Sequence, residues 1–316
     1  MSGFSDRKMI IPDGLRCLDF GEPLEDATDE ERRVEDVRRK ILTLVRPIPS
    51  QPATPERMAW MIFWARAVVI SRATATAVNN HTPAMLTVME RMSLEAMLQL
   101  APICFAGSKE VVNRLRAYSA WCLWSEKKLN NELGDPRNLE KAFDTQKARE
   151  ILSDPMFRSF VEIFHWEGAD FKRAAQEEDR EEVAAGVNRK LQDIEDLLGD
   201  PWLAPWKAKL KASNPKSFYE LLNEEERTVC ARMSGIGMRF GYYTYKRGSM
   251  AIHGSSIDEF LMPSGDGGWL PKVADVDESW QPTANMIASN LETIYLLLLA
   301  TTSLVWQIEE QPPSPA

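Results

Sequence analysis

Prolines and helix-capping residues divide this chain into long runs, within which apolar side chains recur three or four residues apart. Thr28 with Glu31 three residues on forms a capping box and opens a charged helix to about Val45. Pro47, Pro49, Pro52 and Pro55 then mark a linker. Thr54 caps a helix over 55–79 that carries Trp60, Phe63 and Trp64, and Pro83 opens another to about Phe105. Ser108 caps a third, ending near Leu133 before Gly134, Asp135 and Pro136. Further helices are expected over 138–153, 179–198, 217–222, 224–256 and 283–309, with an aromatic-rich segment starting at Pro155. No run alternates apolar and polar as a half-buried strand does, and no internal repeat is evident. The fold class is therefore all-α. We expect a multi-helix bundle with an irregular N-terminal arm and one long loop, 258–282, before the last helix.

By composition shifts, residues 1–54 read as an N-terminal arm, surface helix and Pro-rich linker. Residues 55–310 read as the helical-bundle domain and 311–316 as a disordered tail. The polar helix at 28–45 reads as a solvated surface helix or a partner-facing arm. Met1 to Pro12 shows neither an apolar signal core nor a small-residue cleavage site, which points to a cytoplasmic protein. The apolar stretch Ile294 to Trp306 spans 13 residues, short of the ~20 that cross a bilayer, and reads as a buried helix with no membrane contact. Four scattered cysteines, Cys17, Cys104, Cys122 and Cys230, fit a reducing compartment. With three widely separated histidines they make no metal-ligand pair, so neither a metal nor a cofactor is expected.

The formal net charge is −9, so the overall field does not steer the protein to nucleic acid. Any nucleic-acid site has to be a local basic patch. The chain offers one. In a sequence with 47 acids, residues 227–257 contain none, yet they carry Arg227, Arg232, Arg239, Lys246, Arg247 and His253. Arg232, Arg239, Lys246 and His253 are spaced by seven, which returns to nearly the same face of a helix with a drift of ~20°. Tyr242 and Ser249 fall close to that ridge. A second seven-spaced series, Ser234, Gly241, Gly248 and Ser255, is made of small residues that would let another helix approach closely. No phosphate-binding glycine loop and no nucleophile elbow occurs anywhere.

Three readings of the ridge stand side by side. It is a solvated or acid-paired face with a structural histidine, it binds a small molecule, or it is a catalytic site. As a site, His253 would move a proton near neutral pH while a guanidinium or ammonium holds a phosphate. That combination suits metal-free cleavage of RNA, in which the 2′-hydroxyl attacks its own phosphate. Arg91 and Glu95, four apart on an otherwise apolar helix, are either an ordinary intrahelical pair or a support that orients the His253 helix. His81 reads as a turn residue and His165 as structural. The tryptophans read as core.

Ser71 to Pro102, with Arg91 and Glu95 in an Arg-x-x-x-Glu pattern, resembles the middle helices of a bacterial helical family catalogued as domain of unknown function 5677. Residues 242–255, YYTYKRGSMAIHGS, are similar to that family's late Tyr-rich helix, with Ser249 and His253 as its Ser-x-x-x-His. The same helix looks like the Arg-x(4–6)-His signature of HEPN ribonucleases, as Arg247-x5-His253. HEPN proteins are helical bundles that usually dimerise, and many are metal-independent ribonucleases of toxin–antitoxin and antiphage systems. The resemblance implies Arg247 and His253 as catalytic residues. Arg232, Arg239, Lys246, Ser249 and Tyr242 would contact the substrate. It also implies RNA as a partner, together with a second copy or a partner protein. The rival expectation is a non-catalytic interaction subunit, whose small-residue row would serve dimerisation.

Overall fold

The computed structural model describes residues 3–4, 7–9, 27–48, 50–79, 83–105, 107–135, 137, 153, 155, 177–252, 261–263, 269–271 and 281–306. Among these there are eight α-helices: α1 (Asp29–Thr43), α2 (Pro55–Asn79), α3 (Pro83–Cys104), α4 (Ser108–Gly134), α5 (Glu177–Leu198), α6 (Ala204–Ser213), α7 (Glu224–Ile252) and α8 (Gln281–Val305). The all-α bundle expected from the sequence is the fold observed. Short 3-10 turns cover Pro201–Leu203 and Phe218–Leu221. The segments expected as a helix over 138–153 and an aromatic run after Pro155 fall almost wholly outside the described residues. So do Cys17, His81, His165, His253 and the tail 311–316.

The chain divides into two units. The larger comprises Ser5–Ser119 and Pro215–Ala316, the smaller Met1–Phe4 and Ala120–Asn214. In the smaller unit the Phe4 backbone N–H donates to Asp200 Oδ2 at 2.8 Å. Asp200 Oδ1 accepts from Trp202 N at 2.9 Å and so caps the 3-10 turn that Pro201 opens. Lys127 pairs with Glu195, and Lys190 with Glu126 at 2.7 Å, tying α4 to α5.

In the larger unit α1 begins as its sequence dictates. Thr28 Oγ1 accepts from Glu31 N at 3.2 Å, and Glu31 Oε2 accepts from Thr28 N at 2.6 Å. The reading of this helix as solvated needs correction. Val34, Val37, Ile41 and Leu42 form a buried face, and α1 packs against α2 and α8. A mostly charged helix hides its role in composition, because four apolar residues at helical spacing suffice to seat it. The Trp64 indole closes its end by donating to the Ile41 carbonyl at 2.8 Å, one of the acceptors that a helix C-terminus leaves open.

Among the described residues Trp60, Trp64, Trp206 and Trp306 are core, whereas Trp202 is 44% exposed. Trp60 and Trp306 meet edge to face at 5.6 Å, and Trp60 Nε1 donates to Leu298 O at 3.2 Å. Phe63 stacks on Tyr118 at 4.5 Å, and Tyr118 meets Phe218 edge-on at 5.3 Å. Arg57 donates to Val305 O at 3.1 Å and Pro52 O at 2.6 Å, which fixes the end of α8 to the start of α2. The apolar segment read as 13 residues is part of a 25-residue helix. By length and composition α2 and α8 are each apolar enough to cross a membrane, and 44% of each apolar window is buried inside the protein.

Two small antiparallel pairs accompany the helices. β1 (Lys8–Met9) pairs with β2 (Gln51–Pro52). β3 (Leu261–Pro263) pairs with β4 (Trp269–Pro271), so the segment expected to be irregular before α8 contains an ordered ladder.

Candidate functional site on helix α7

Helix α7 carries the acid-free window, and its start is held from three sides. Asn223 and Glu226 form a capping box: Glu226 N donates to Asn223 Oδ1 at 2.8 Å, and Asn223 N to Glu226 Oε2 at 3.4 Å. The other Glu226 oxygen faces Arg114 Nε at 3.6 Å, with both side chains nearly buried. Arg114 also donates to Pro102 O at 2.6 Å, and the Cys230 thiol approaches the same carbonyl at 3.8 Å.

Pro102 lies inside α3 and has no N–H to return to Leu98 O, four residues earlier. The freed Leu98 carbonyl accepts from the Tyr219 hydroxyl at 3.4 Å. Burial pushes the Tyr219 phenol up to about 12, while a hydrogen bond with Ser234 of α7 pulls the other way. The defect in α3 is thereby repaired by the turn that leads into α7.

Beyond this anchor α7 lies against α3, in the most extensive helix–helix contact among the described residues of the larger unit. A Cβ at Gly237 would collide with Leu98 Cδ2, and one at Gly241 with Leu94 Cδ2. One turn further, Thr244 Oγ1 donates to Glu90 Oε1 at 3.2 Å. The contacts Gly237–Leu98, Gly241–Leu94 and Thr244–Glu90 advance along α7 as they retreat along α3, so the two helices run antiparallel. The close approach expected of the small residues is present at Gly241. Its occupant is α3 of the same chain, and Gly237, outside the seven-spaced series, shares the role.

The basic ridge lies away from this contact. At ~100° per residue, Lys246 falls about 160° round the helix from Thr244, Arg239 about 140° and Arg232 about 120°. Arg232, Arg239 and Lys246 are all exposed. Tyr242 is 57% exposed, and Lys246 Nζ stands 5.8 Å from its ring centroid. Arg227, Thr228, Ala231, Arg232, Gly235 and Arg239 line a cavity of about 680 Å³. Three guanidinium groups and no carboxylate among its described lining residues make this surface attractive to an anion.

Arg247 and Ser249 lie on α7. Backbone geometry sets residue 247 about 60° from Thr244, on the flank nearer α3. His253 lies just past the described end of the helix. Arg91 and Glu95 form the intrahelical pair at 2.9 Å, with side chains 18% and 33% exposed. A carboxylate of α3 that bonds α7 is Glu90, 7% exposed, a residue the sequence reading passed over. Its signal was faint, since a glutamate in an amphipathic helix ordinarily faces water. The start of α7 expected at 224 is the one observed, and the Asn223-x-x-Glu226 box accounts for it. Among the described residues no group of three or more His, Cys, Asp or Glu is placed to hold a metal ion.

Compared with protein-family models, curated proteins and solved structures, the chain has no match.

Proposed function

We propose that this protein is a HEPN-like, metal-independent ribonuclease, of the kind used as a toxin or antiphage effector, with α7 as its RNA-facing helix. The observation that carries this reading is the exposed basic side of α7, where Arg232, Arg239 and Lys246 stand clear of the α3 contact. These three would bind phosphates, with Tyr242 and Ser249 positioning the strand. His253 would take the proton of a ribose 2′-hydroxyl as that oxygen attacks the adjacent phosphorus. The phosphorus–O5′ bond breaks, the leaving oxygen gains a proton, and a 2′,3′-cyclic phosphate and a 5′-hydroxyl remain. Arg247 would offset the charge that develops on the phosphoryl oxygens. The resemblance of Arg247-x5-His253 to the HEPN signature supports the pairing of these two residues.

The test is cleavage of a labelled single-stranded RNA by purified protein in excess chelator. Products ending in cyclic phosphate, lost in His253→Ala and in Arg247→Ala variants that keep the wild-type melting curve, support the proposal. Intact RNA at high protein concentration in both wild type and variants counts against it.

A second reading is a non-catalytic interaction subunit of a defence or toxin–antitoxin complex. Leu296, Leu299 and Leu304 of α8 favour it, being exposed at 55%, 46% and 39% in a helix whose opposite face is core. Exposed leucines on one helix suit a protein partner better than an RNA.

A further inference from the structure

We infer that Glu90 is a positioning residue: its buried carboxylate, by holding Thr244 Oγ1, fixes the register of the α7 turn that carries Arg247. The inference rests on the ribonuclease reading for its functional half, and on geometry alone for its structural half.

The geometry begins with the two glycine contacts. Leu98 against Gly237 and Leu94 against Gly241 are apolar and fit tightly, so they set how near α7 comes to α3. Methyl groups against a bare backbone hold separation well but resist sliding weakly, because dispersion has no preferred direction. The next contact along the same line is of another kind. Glu90 Oε1 accepts the Thr244 hydroxyl hydrogen at 3.2 Å, and Glu90 is 7% exposed. A hydrogen bond to a carboxylate is directional and roughly twice as strong as a neutral one.

Glu90 is itself braced. Ser93 Oγ donates to the Glu90 carbonyl at 2.8 Å, and Asn290 of α8 donates to Ser93 Oγ at 3.0 Å. The chain of contacts therefore runs from α8 through Ser93 to the α3 backbone at Glu90, and from the Glu90 side chain to α7. Thr244 and residue 247 are three apart and so are neighbours on the helix surface. The Glu90–Thr244 contact thus stands one turn from the proposed catalytic arginine.

The experiment pairs Thr244→Val, which keeps the shape and deletes the donor, with Thr244→Ser, which keeps the hydroxyl; Glu90→Gln is the third variant. Hydrogen exchange of full-length protein is read at the amides of 244–252 and of α2, and RNA cleavage is read as kcat and KM. We expect Thr244→Val to speed exchange about tenfold at 244–252 and not in α2, as loss of one such bond implies. We expect kcat to fall about tenfold with KM within twofold, Glu90→Gln to fall part of the way, and Thr244→Ser to restore both. Unchanged exchange at 244–252, or an equal rise in α2, overturns the inference. So does a KM effect with kcat intact, which would make Glu90 part of binding. A wild type that cleaves no RNA overturns the ribonuclease reading instead, and the exchange result still judges the register.

Discussion

A Cβ on Gly237 of α7 would fall on Leu98 Cδ2 of α3, so a larger residue there requires the leucine side chain to move. The same helix carries a glycine with the opposite surroundings, since a Cβ on Gly235 would meet nothing within 4 Å. Alanine in place of glycine gains roughly 0.5–1 kcal/mol in a helix interior, and forcing an extra methyl into a packed contact costs about 1–3 kcal/mol. Gly235→Ala should therefore stabilise the protein and Gly237→Ala should destabilise it by about 1 kcal/mol in urea unfolding. Adding Leu98→Ala to Gly237→Ala should cost less than Leu98→Ala alone. Equal effects of the two glycine substitutions would show that α7 does not press on α3.

Arg114 and Glu226 give a second test at the other end of that contact. Their side chains are 6% and 10% exposed, and Glu226 also belongs to the box that starts α7. Removing one member of a buried pair leaves a charge with no counter-charge, which costs about 3–5 kcal/mol. Arg114→Leu should lose about 3 kcal/mol, and Glu226→Gln should be less costly in that background than in the wild type. A double-mutant cycle by denaturant unfolding measures the difference, and strictly additive losses would sink the claim.

These contacts show where the sequence was readable. Helices α2 and α3 start at Pro55 and Pro83, as their proline and capping signals require, because such signals act within one turn. Helix α4 starts one residue earlier than a Ser108 cap implies, with Val111 N donating to the Gly107 carbonyl. The basic side of α7 was equally plain, since spacing by seven fixes a face without reference to any other helix. Which neighbour covers the opposite side was not readable. Glu90 looks in sequence like any solvent-facing glutamate, and only the approach of Thr244 from a helix 154 positions away gives it a role. The burial of α1 was missed for a related reason: four apolar residues in a charged helix reveal their purpose only when α2 and α8 are in place.

Cys104 should be chemically silent in the native protein. Burial pushes its thiol up to about 12, and its sulfur lies 3.9 Å from the Leu297 carbonyl. The reactive form is the thiolate, so alkylation at pH 8 should run roughly a thousandfold slower than for an ordinary cysteine. The same shift sets a sign for stability. Above the ordinary thiol value of about 9.0 the unfolded chain loses this proton while the folded chain keeps it until about 12. Stability contributed by this group therefore falls as pH rises through that window. Mass spectrometry after iodoacetamide treatment, native against denatured, checks the first point; full native labelling of Cys104 would refute it.

The basic side of α7 makes a quantitative prediction about salt. For single strands the logarithm of the binding constant falls with the logarithm of salt concentration by about 0.7 per phosphate contacted. Arg232, Arg239 and Lys246 together should give a slope of about −2 for a short single-stranded RNA. Each alanine substitution should remove about 0.7 of that slope, with little change in melting temperature, because all three side chains are exposed. A control substitution at an exposed lysine of the smaller unit, Lys209→Ala, should leave the slope alone. The overall charge of −9 sharpens the test, because binding that depended on the average field would be repulsive at low salt. Affinity that rises as salt is lowered, and that responds to these three residues and not to Lys209, places RNA on α7. Affinity that is flat with salt, or equally sensitive to Lys209, shifts the protein toward the interaction-subunit reading and leaves the exposed leucines of α8 as the surface to pursue.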